Sequence, residues 1–236
     1  MKPAIIIPVY NHGSRIGEVV EKSVRLGLPI FVVDDGSTDD TCEVLAGLSG
    51  IDVLRHSENQ GKGAALLTGF AAAVENGHDW AVTIDGDGQH VPADAGNLLQ
   101  AVREGERCIV IGSRQGMDDN VHVPWTSRFG RGFSNFWVRA AGGPMVSDSQ
   151  SGFRLYPLPE SLQLGVKARR YQFEVEILVR AHRRGIRAKE TPIGVVYQPK
   201  GVRISHFRPW RDFLRNSSTF NRLIWDRIFS VFFPRR

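Results

Sequence analysis

The sequence predicts an α/β fold built on a mostly parallel central sheet with helices against both faces. Short apolar runs alternate with helix-length amphipathic stretches through the first half of the 236-residue chain, the order expected of strand–helix–strand units. The runs are continuously apolar rather than alternating, as in strands covered on both sides. Polar clusters follow the runs directly, and ligands of such folds sit beyond the carboxyl ends of the strands.

Ala4–Val9 reads as the first strand, followed by a helix from about Ser14 to Leu26. Ile30–Val33 is the second strand, and Ser37-Thr38-Asp39 offer N-cap residues for the next helix. Ile51–Leu54 is a third strand, after which Asn59-Gln60-Gly61-Lys62-Gly63 opens an Ala-rich helix over Ala64–Glu75. Trp80–Ile84 is a strand, Pro92–Arg103 a helix and Cys108–Ile111 a strand. The second half is less regular. A loop over Gln115–Pro124 precedes a helix from Ser127 to Ala141. A helix over Phe173–Arg184 carries Glu174 and Glu176 near its start, where the dipole favours anions. Two prolines and a glycine mark residues 197–209 as a loop, and a last helix runs from about Trp210 to Val231. The expected organisation is one domain over residues 1–208 and a basic amphipathic helix over 209–236.

With 42% hydrophobic and 23% charged residues, the composition is that of a globular protein rather than a disordered or fibrous one. Cys42 and Cys108 both fall in predicted regular structure, which points to two thiols in a reducing compartment. The apolar run after Met1-Lys2-Pro3 is too short for a signal peptide. No segment reaches the roughly 18–20 apolar residues that span a bilayer. The expectation is a soluble or surface-associated intracellular protein. Its charge is unevenly spread: residues 1–150 hold 12 Lys+Arg against 19 Asp+Glu, and residues 151–236 hold 18 against 6. A basic C-terminal third suits an anionic partner, or is simply a solvated surface.

Asp85-Gly86-Asp87-Gly88-Gln89 leaves the apolar run Ala81-Val82-Thr83-Ile84. Two carboxylates and an amide oxygen at alternate positions form a hard-oxygen cluster of the kind that holds Mg²⁺ or Mn²⁺ against a diphosphate. Gly86 and Gly88 let the backbone turn tightly and approach a ligand; Asp-Gly pairs also mark ordinary turns. Pro8-Val9-Tyr10-Asn11 ends the first strand, Asp34-Asp35-Gly36-Ser37 the second, and Gly112-Ser113-Arg114 the fifth. Four polar strand ends therefore converge on one rim. Asp34 and Asp35 could cap the next helix or accept hydrogen bonds from a nucleotide base and ribose. Lys62 reads either as a solvated lysine or as a nucleotide contact, since its spacing does not fit the phosphate loop of ATPases.

Taken in order, Ile6-Ile7-Pro8-Val9-Tyr10-Asn11, Val32-Val33-Asp34-Asp35-Gly36-Ser37-Thr38-Asp39, Asn59-Gln60-Gly61-Lys62-Gly63 and Asp85-Gly86-Asp87-Gly88-Gln89 resemble the family 2 inverting glycosyltransferases of the GT-A fold. Gly112-Ser113-Arg114, Gln150-Ser151-Gly152-Phe153-Arg154 and Tyr171-Gln172-Phe173-Glu174-Val175-Glu176 extend the match toward the dolichol-phosphate mannosyltransferase-like branch. The resemblance covers residues 3 to about 207. It implies a nucleotide-diphosphate sugar donor, UDP- or GDP-linked. Pro8, Tyr10, Asn11, Asp34 and Asp35 would hold the nucleoside, with Lys62 nearby and Gly86 close to the donor. Asp85, Asp87 and Gln89 would bind a divalent Mg²⁺ or Mn²⁺ that neutralises the departing diphosphate. Arg114 and Arg128 would contact phosphate.

The acceptor is less constrained. A lipid phosphate is already anionic and attacks unaided, whereas a hydroxyl needs a carboxylate base, for which Asp148 and Glu174 are candidates. Glu176 reads as structural, with Arg154 or Arg170 as the expected partners of the two glutamates. Relatives of this type usually carry Gly-x-Ser-Lys after the last strand; here the stretch is Gly201-Val202-Arg203-Ile204-Ser205-His206-Phe207. Arg203, Ser205 and His206 could still build a phosphate site, though the change weakens the case for mannose and a polyprenyl phosphate. On the last helix Trp210, Phe213, Leu214, Ser217, Phe220, Ile224, Ile228 and Val231 fall near one face. That face either packs on the domain or lies in an anionic membrane surface, with Phe232-Phe233 at the headgroup boundary. Nucleic acid is not an expected partner. The expected activity is inverting, metal-dependent transfer of a sugar to a lipid or lipid-phosphate acceptor at the inner face of the cell membrane. Transfer to a hydroxyl of a glycolipid or pigment is the alternative. A sugar nucleotidyltransferase lacks its glycine-rich N-terminal signature here, and the intact carboxylate cluster argues against a non-catalytic sensor.

Overall fold

The computed structural model describes residues 1–114, 125–196 and 209–232, the side chains of 125–129, 209–216 and 230–232 excepted. The predicted loop over Gln115–Pro124 and most of the predicted loop over 197–209 lie outside the described residues. Strands β1 (Pro3–Val9), β2 (Ile30–Asp34), β3 (Asp52–Arg55) and β4 (Trp80–Thr83) alternate with helices α1 (Gly13–Val24), α2 (Thr41–Ala46) and α3 (Lys62–Glu75). A 3-10 turn at Pro92–Asp94 leads into α4 (Ala95–Gln100), and β5 (Cys108–Arg114) and α5 (Trp125–Ala140) follow. The remainder comprises β6 (Arg154–Pro157), α6 (Glu160–Gln163), α7 (Phe173–Arg183), β7 (Arg187–Ile193) and α8 (Pro209–Phe232).

The seven strands form one sheet in the order β3-β2-β1-β4-β6-β5-β7. β6 runs antiparallel to both β4 and β5, and the other pairings are parallel. Alternate residues of β1 explain why its sequence is apolar throughout. Ile5, Ile7 and Val9 pack with Ile16, Val19 and Val20 of α1 and Leu98 of α4. Ala4 and Ile6 pack on the opposite face with Leu66 and Phe70 of α3 and with Phe173 and Ile177 of α7. α3 comes close enough that a Cβ on Gly69 would lie 2.4 Å from Ile6 Cγ2.

A third cluster lies outside the sheet, where Val138 and Ala141 at the end of α5, Val175 and Val179 of α7, and Phe220 and Leu223 of α8 are buried together. Fully buried Glu176 ties these parts to one another. It binds Arg180 Nε at 2.6 Å and Arg222 Nη2 at 2.6 Å. It also accepts the amides of Lys167 and Ala168 at 3.2 and 2.9 Å. Glu176 is thus structural, held by Arg180 and Arg222 and not by the Arg154 or Arg170 anticipated from sequence. Arg154 instead donates to main-chain oxygens of Ser149, Ser151 and Glu174, and Arg170 to Asn59.

Two strands escape sequence reading for physical reasons. β6 has four residues and begins on a fully buried arginine. β7 is an edge strand reading Arg-Ala-Lys-Glu-Thr-Pro-Ile, largely solvated, so it has no apolar run.

Candidate active site

The chain runs β1, β2, β3 toward one edge of the sheet, then returns to place β4 on the other side of β1. Reversal of strand order opens a crevice beyond the carboxyl ends of β1 and β4. The pentad Asp85–Gln89 lies at that point. A Cβ on Gly86 would stand 3.2 Å from Val9 Cβ and 3.3 Å from the Pro8 carbonyl oxygen, so the pentad backbone lies directly against the end of β1. Val9 is in turn paired with Asp34 of β2. The structure therefore brings Pro8, Asp34, Asp85 and Gly86 to one rim.

The β1 and β2 ends are stapled by side chains. Asn11 has φ +53°, a left-handed conformation that asparagine tolerates. Its amide N–H donates to Ser37 Oγ at 2.9 Å and its side-chain oxygen accepts the Thr38 amide at 2.8 Å. Asp34 is fully buried and accepts the Ser37 amide at 2.9 Å, with Arg55 Nε 3.3 Å from its other oxygen. Asp35 turns inward. One oxygen meets His56 Nδ1 at 2.7 Å and the Gln60 amide at 2.9 Å, and the other accepts the Gly61 amide at 2.7 Å. Asp35 therefore fixes the loop that leads to Lys62, while half-buried Tyr10 stays at the rim. The helix after β2 begins at Thr41, later than its N-cap signal suggests, because Asp39 serves two helices: it accepts the Thr41 and Gly13 amides, each at 3.1 Å.

Lys62 reaches from the start of α3 to two carboxylates, Asp85 Oδ1 at 2.6 Å and Glu174 Oε1 at 2.5 Å. Burial opposes its charge, yet the two carboxylates hold its ammonium well above the ordinary lysine range. Burial likewise opposes ionisation of Asp85, and Lys62 overcomes it, keeping the carboxyl below its usual range. Gly152 covers this ion pair: a Cβ there would lie 2.5 Å from Asp85 Oδ2 and 2.6 Å from Lys62 Nζ. Further along the pentad, Asp87 accepts the Gln89 amide at 3.0 Å and the Gln89 side-chain NH₂ at 2.7 Å.

These donors fit a hard divalent cation. Among the described residues no three His, Cys, Asp or Glu side chains converge as a cage. One or two carboxylates, an amide oxygen and substrate phosphates are the ligand set that Mg²⁺-like ions take in place of an all-protein cage.

Arg114, at the end of β5, forms a two-point pair with Asp148, Nε to Oδ2 at 2.6 Å and Nη2 to Oδ1 at 2.7 Å. Burial raises the Asp148 carboxyl, but the Arg114 pair outweighs it and holds the group below its ordinary value. Both candidate bases, Asp148 and Glu174, are thus engaged by cations. Arg128 lies on α5 with its side chain outside the described residues, as do Arg203, Ser205 and His206 altogether.

Sequence reading missed three supports of the site. His90 directly follows the pentad, stacks on Phe153 with centroids 5.2 Å apart and points Nδ1 at the Asp85 amide at 3.3 Å. Burial holds it below the usual histidine range despite Asp85 and Asp87. Gly152 was visible only as part of a motif, its role being steric. Glu190, on the polar edge strand β7, accepts the Ser147 and Asp148 amides at 2.8 and 3.0 Å and so positions Asp148.

A mostly parallel seven-stranded α/β sheet with an acidic cluster at the reversal of strand order is the architecture of the GT-A class of nucleotide-diphospho-sugar transferase folds. The whole chain overlays on 76% of mannosyl-3-phosphoglycerate synthase from Rubrobacter xylanophilus with a TM-score of 0.64 at 17% identity, a likeness of fold. Residues 4–160 match the family model described as glycosyl transferase family 2. The chain belongs to that family and is a glycosyltransferase. An uncharacterised protein of Methanocaldococcus jannaschii is 35% identical over 198 residues, 82% of this chain and 81% of that one. UDP-N-acetylglucosamine--dolichyl-phosphate N-acetylglucosaminyltransferase of Methanococcus voltae is 32% identical over 213 residues, 82% of this chain and 85% of that one. Polyprenol monophosphomannose synthase of Mycolicibacterium smegmatis is 31% identical over 210 residues, 84% and 78% of the respective chains. The family match and the last two relatives agree with the dolichol-phosphate mannosyltransferase-like branch that the motifs resemble.

Proposed function

We propose that this protein moves a sugar, with inversion, from a nucleotide-diphosphate sugar to a polyprenyl-phosphate acceptor and depends on Mg²⁺ or Mn²⁺. The observation that carries the reading is the pentad at the switch point, against the end of β1 and close to Asp34. Asp34, Tyr10 and Asn11 are assigned to the nucleoside, Asp85, Asp87 and Gln89 to the metal, and Lys62 and Arg114 to phosphate. The metal, when bound, supplies Lewis-acid neutralisation of the leaving diphosphate. Two relatives carry dolichyl phosphate and a polyprenol in their names. The ion pairs on Asp148 and Glu174 support the same acceptor class, because a phosphate oxygen attacks without giving up a proton. Arg128, Arg203, Ser205 and His206 are assigned to that acceptor phosphate.

The experiment is a screen of UDP- and GDP-linked sugars for thermal stabilisation with Mn²⁺ or Mg²⁺. A donor at about 100 times its Kd adds about 2.7 kcal/mol and raises Tm by about 5–10 °C. No shift with any donor and metal overturns the reading.

The acceptor class implies work at a membrane surface. Among the described residues no helix is long and apolar enough to cross a membrane. α8 offers another route. Phe220 and Leu223 are buried against the domain, while Trp225, Ile228 and Phe229 are 54%, 39% and 55% exposed. The predicted stripe therefore splits: Phe220 packs inward and Ile228 stays outside. Trp210, Phe213 and Leu214 have side chains outside the described residues. We assign the Trp225–Phe229 pair, with ring centroids 5.8 Å apart, to an anionic lipid surface. Replacing both by serine is expected to reduce partition onto anionic vesicles at least about 10-fold, since it removes well over 1.4 kcal/mol of buried aromatic surface. Unchanged partition would return α8 to a purely structural role.

A further inference from the structure

We propose that Lys62 is a resident cation on Asp85 that makes metal binding conditional on the donor, so that the divalent ion binds tightly only together with a nucleoside diphosphate. The inference rests on the metal site assigned above and extends it to the order in which ligands bind.

The ammonium of Lys62 stands 2.6 Å from Asp85 Oδ1, on the pentad side chain nearest the strand. That is where a bare divalent ion would seek charge. A second carboxylate, Glu174, holds the same ammonium at 2.5 Å from the far side. Lys62 and Glu174 come from the N-terminal ends of α3 and α7 and are 17% and 6% exposed, so the pair is anchored in the packed part of the site. Gly152 presses on it so closely that a single methyl group would collide with Lys62 Nζ and Asp85 Oδ2.

A lone cation approaching the pentad meets an Asp85 whose charge is already answered. It must displace a charge-assisted hydrogen bond or share the carboxylate with another positive group, and either costs free energy. A diphosphate changes the balance. Its oxygens accept Lys62, freeing Asp85, and add the negative charge that a metal together with Lys62 requires. Metal and nucleotide then favour each other's binding through Lys62, and by linkage the effect is the same in both directions. Glu174 sets the resting position: it draws part of the ammonium's charge away from Asp85. Without it Lys62 belongs to Asp85 alone and the metal is excluded more strongly.

The test measures Mn²⁺ binding by loss of the free-ion EPR signal in the full chain, with and without UDP and GDP. In the wild type, UDP or GDP is expected to tighten Mn²⁺ binding by at least about 30-fold. Lys62→Met should bind Mn²⁺ alone about 10-fold tighter than wild type and lose about 10-fold of the nucleotide effect. Glu174→Gln should shift Mn²⁺ affinity the opposite way, weakening it without nucleotide, which a general loss of structure in Lys62→Met would not mirror. Unchanged or weaker Mn²⁺ binding by folded Lys62→Met, or an undiminished nucleotide effect, overturns the inference. Asp87→Ala separates the two levels of argument. If it binds Mn²⁺ as well as wild type, the metal site itself is wrong; if it loses binding while Lys62→Met behaves as wild type, only the conditional mechanism fails.

Discussion

Asp87→Ala is expected to lower sugar transfer by at least about 10³-fold while leaving the melting temperature within a few degrees of wild type. Asp87 is only half-buried and accepts the amide and the side chain of Gln89 within its own loop, so its removal is expected to leave the buried apolar clusters intact. What it takes away is a ligand of the assigned metal and with it the neutralisation of the leaving diphosphate. Such stabilisation is worth several kcal/mol, and each 1.36 kcal/mol is tenfold in rate. Excess chelator should reproduce the loss in the wild-type protein, and Mn²⁺ or Mg²⁺ should restore it. Full activity in chelator would falsify the metal assignment however the mutant behaves.

The second large effect falls on stability. Glu176→Ala removes the acceptor shared by Arg180, Arg222 and the Lys167 and Ala168 amides. Losing one partner of a buried pair costs about 3–5 kcal/mol. Arg180 and Arg222 are 20% and 36% exposed and recover some hydration, so about 2–4 kcal/mol is expected, or roughly 5–15 °C in Tm. Arg222 is the link to α8, and limited proteolysis should accordingly release the C-terminal helix first. Activity per folded molecule, measured well below the new Tm, should stay within about threefold of wild type. A large loss of turnover with unchanged Tm would move Glu176 from the scaffold into the chemistry. Glu174 lies two residues earlier on the same helix, so the comparison separates adjacent carboxylates with opposite roles.

Much of the first half of the fold was legible because burial and polar chemistry leave separate marks on a sequence. Strands covered on both faces must be apolar throughout, so β1, β2, β4 and β5 announce themselves, and the polar residues that interrupt them fall at the rim. The second half offers weaker marks. β7 is an edge strand whose solvated residues resemble a loop, and β6 begins on Arg154, whose charge is answered by main-chain oxygens from residues 149, 151 and 174. The partners of charged side chains were also hidden. Lys62 meets Glu174 across more than a hundred residues of chain, and Glu176 meets Arg222 through α8; residue spacing encodes neither. Asp35 was legible as a rim carboxylate, whereas its inward turn toward His56, Gln60 and Gly61 depends on a loop only the fold defines.

The position of β6 has a consequence for synthesis. β5 is made before β6 but joins the sheet through β6 on one side and β7 on the other. β1 to β4 can assemble as soon as they leave the ribosome, each beside a neighbour already made. Cys108–Arg114 must wait, its apolar stretch without a sheet partner, until Arg154–Pro157 has emerged. The nascent chain therefore completes the pentad's strand before it can close the sheet beside it, and the interval between those two events is when it most needs protection from other chains.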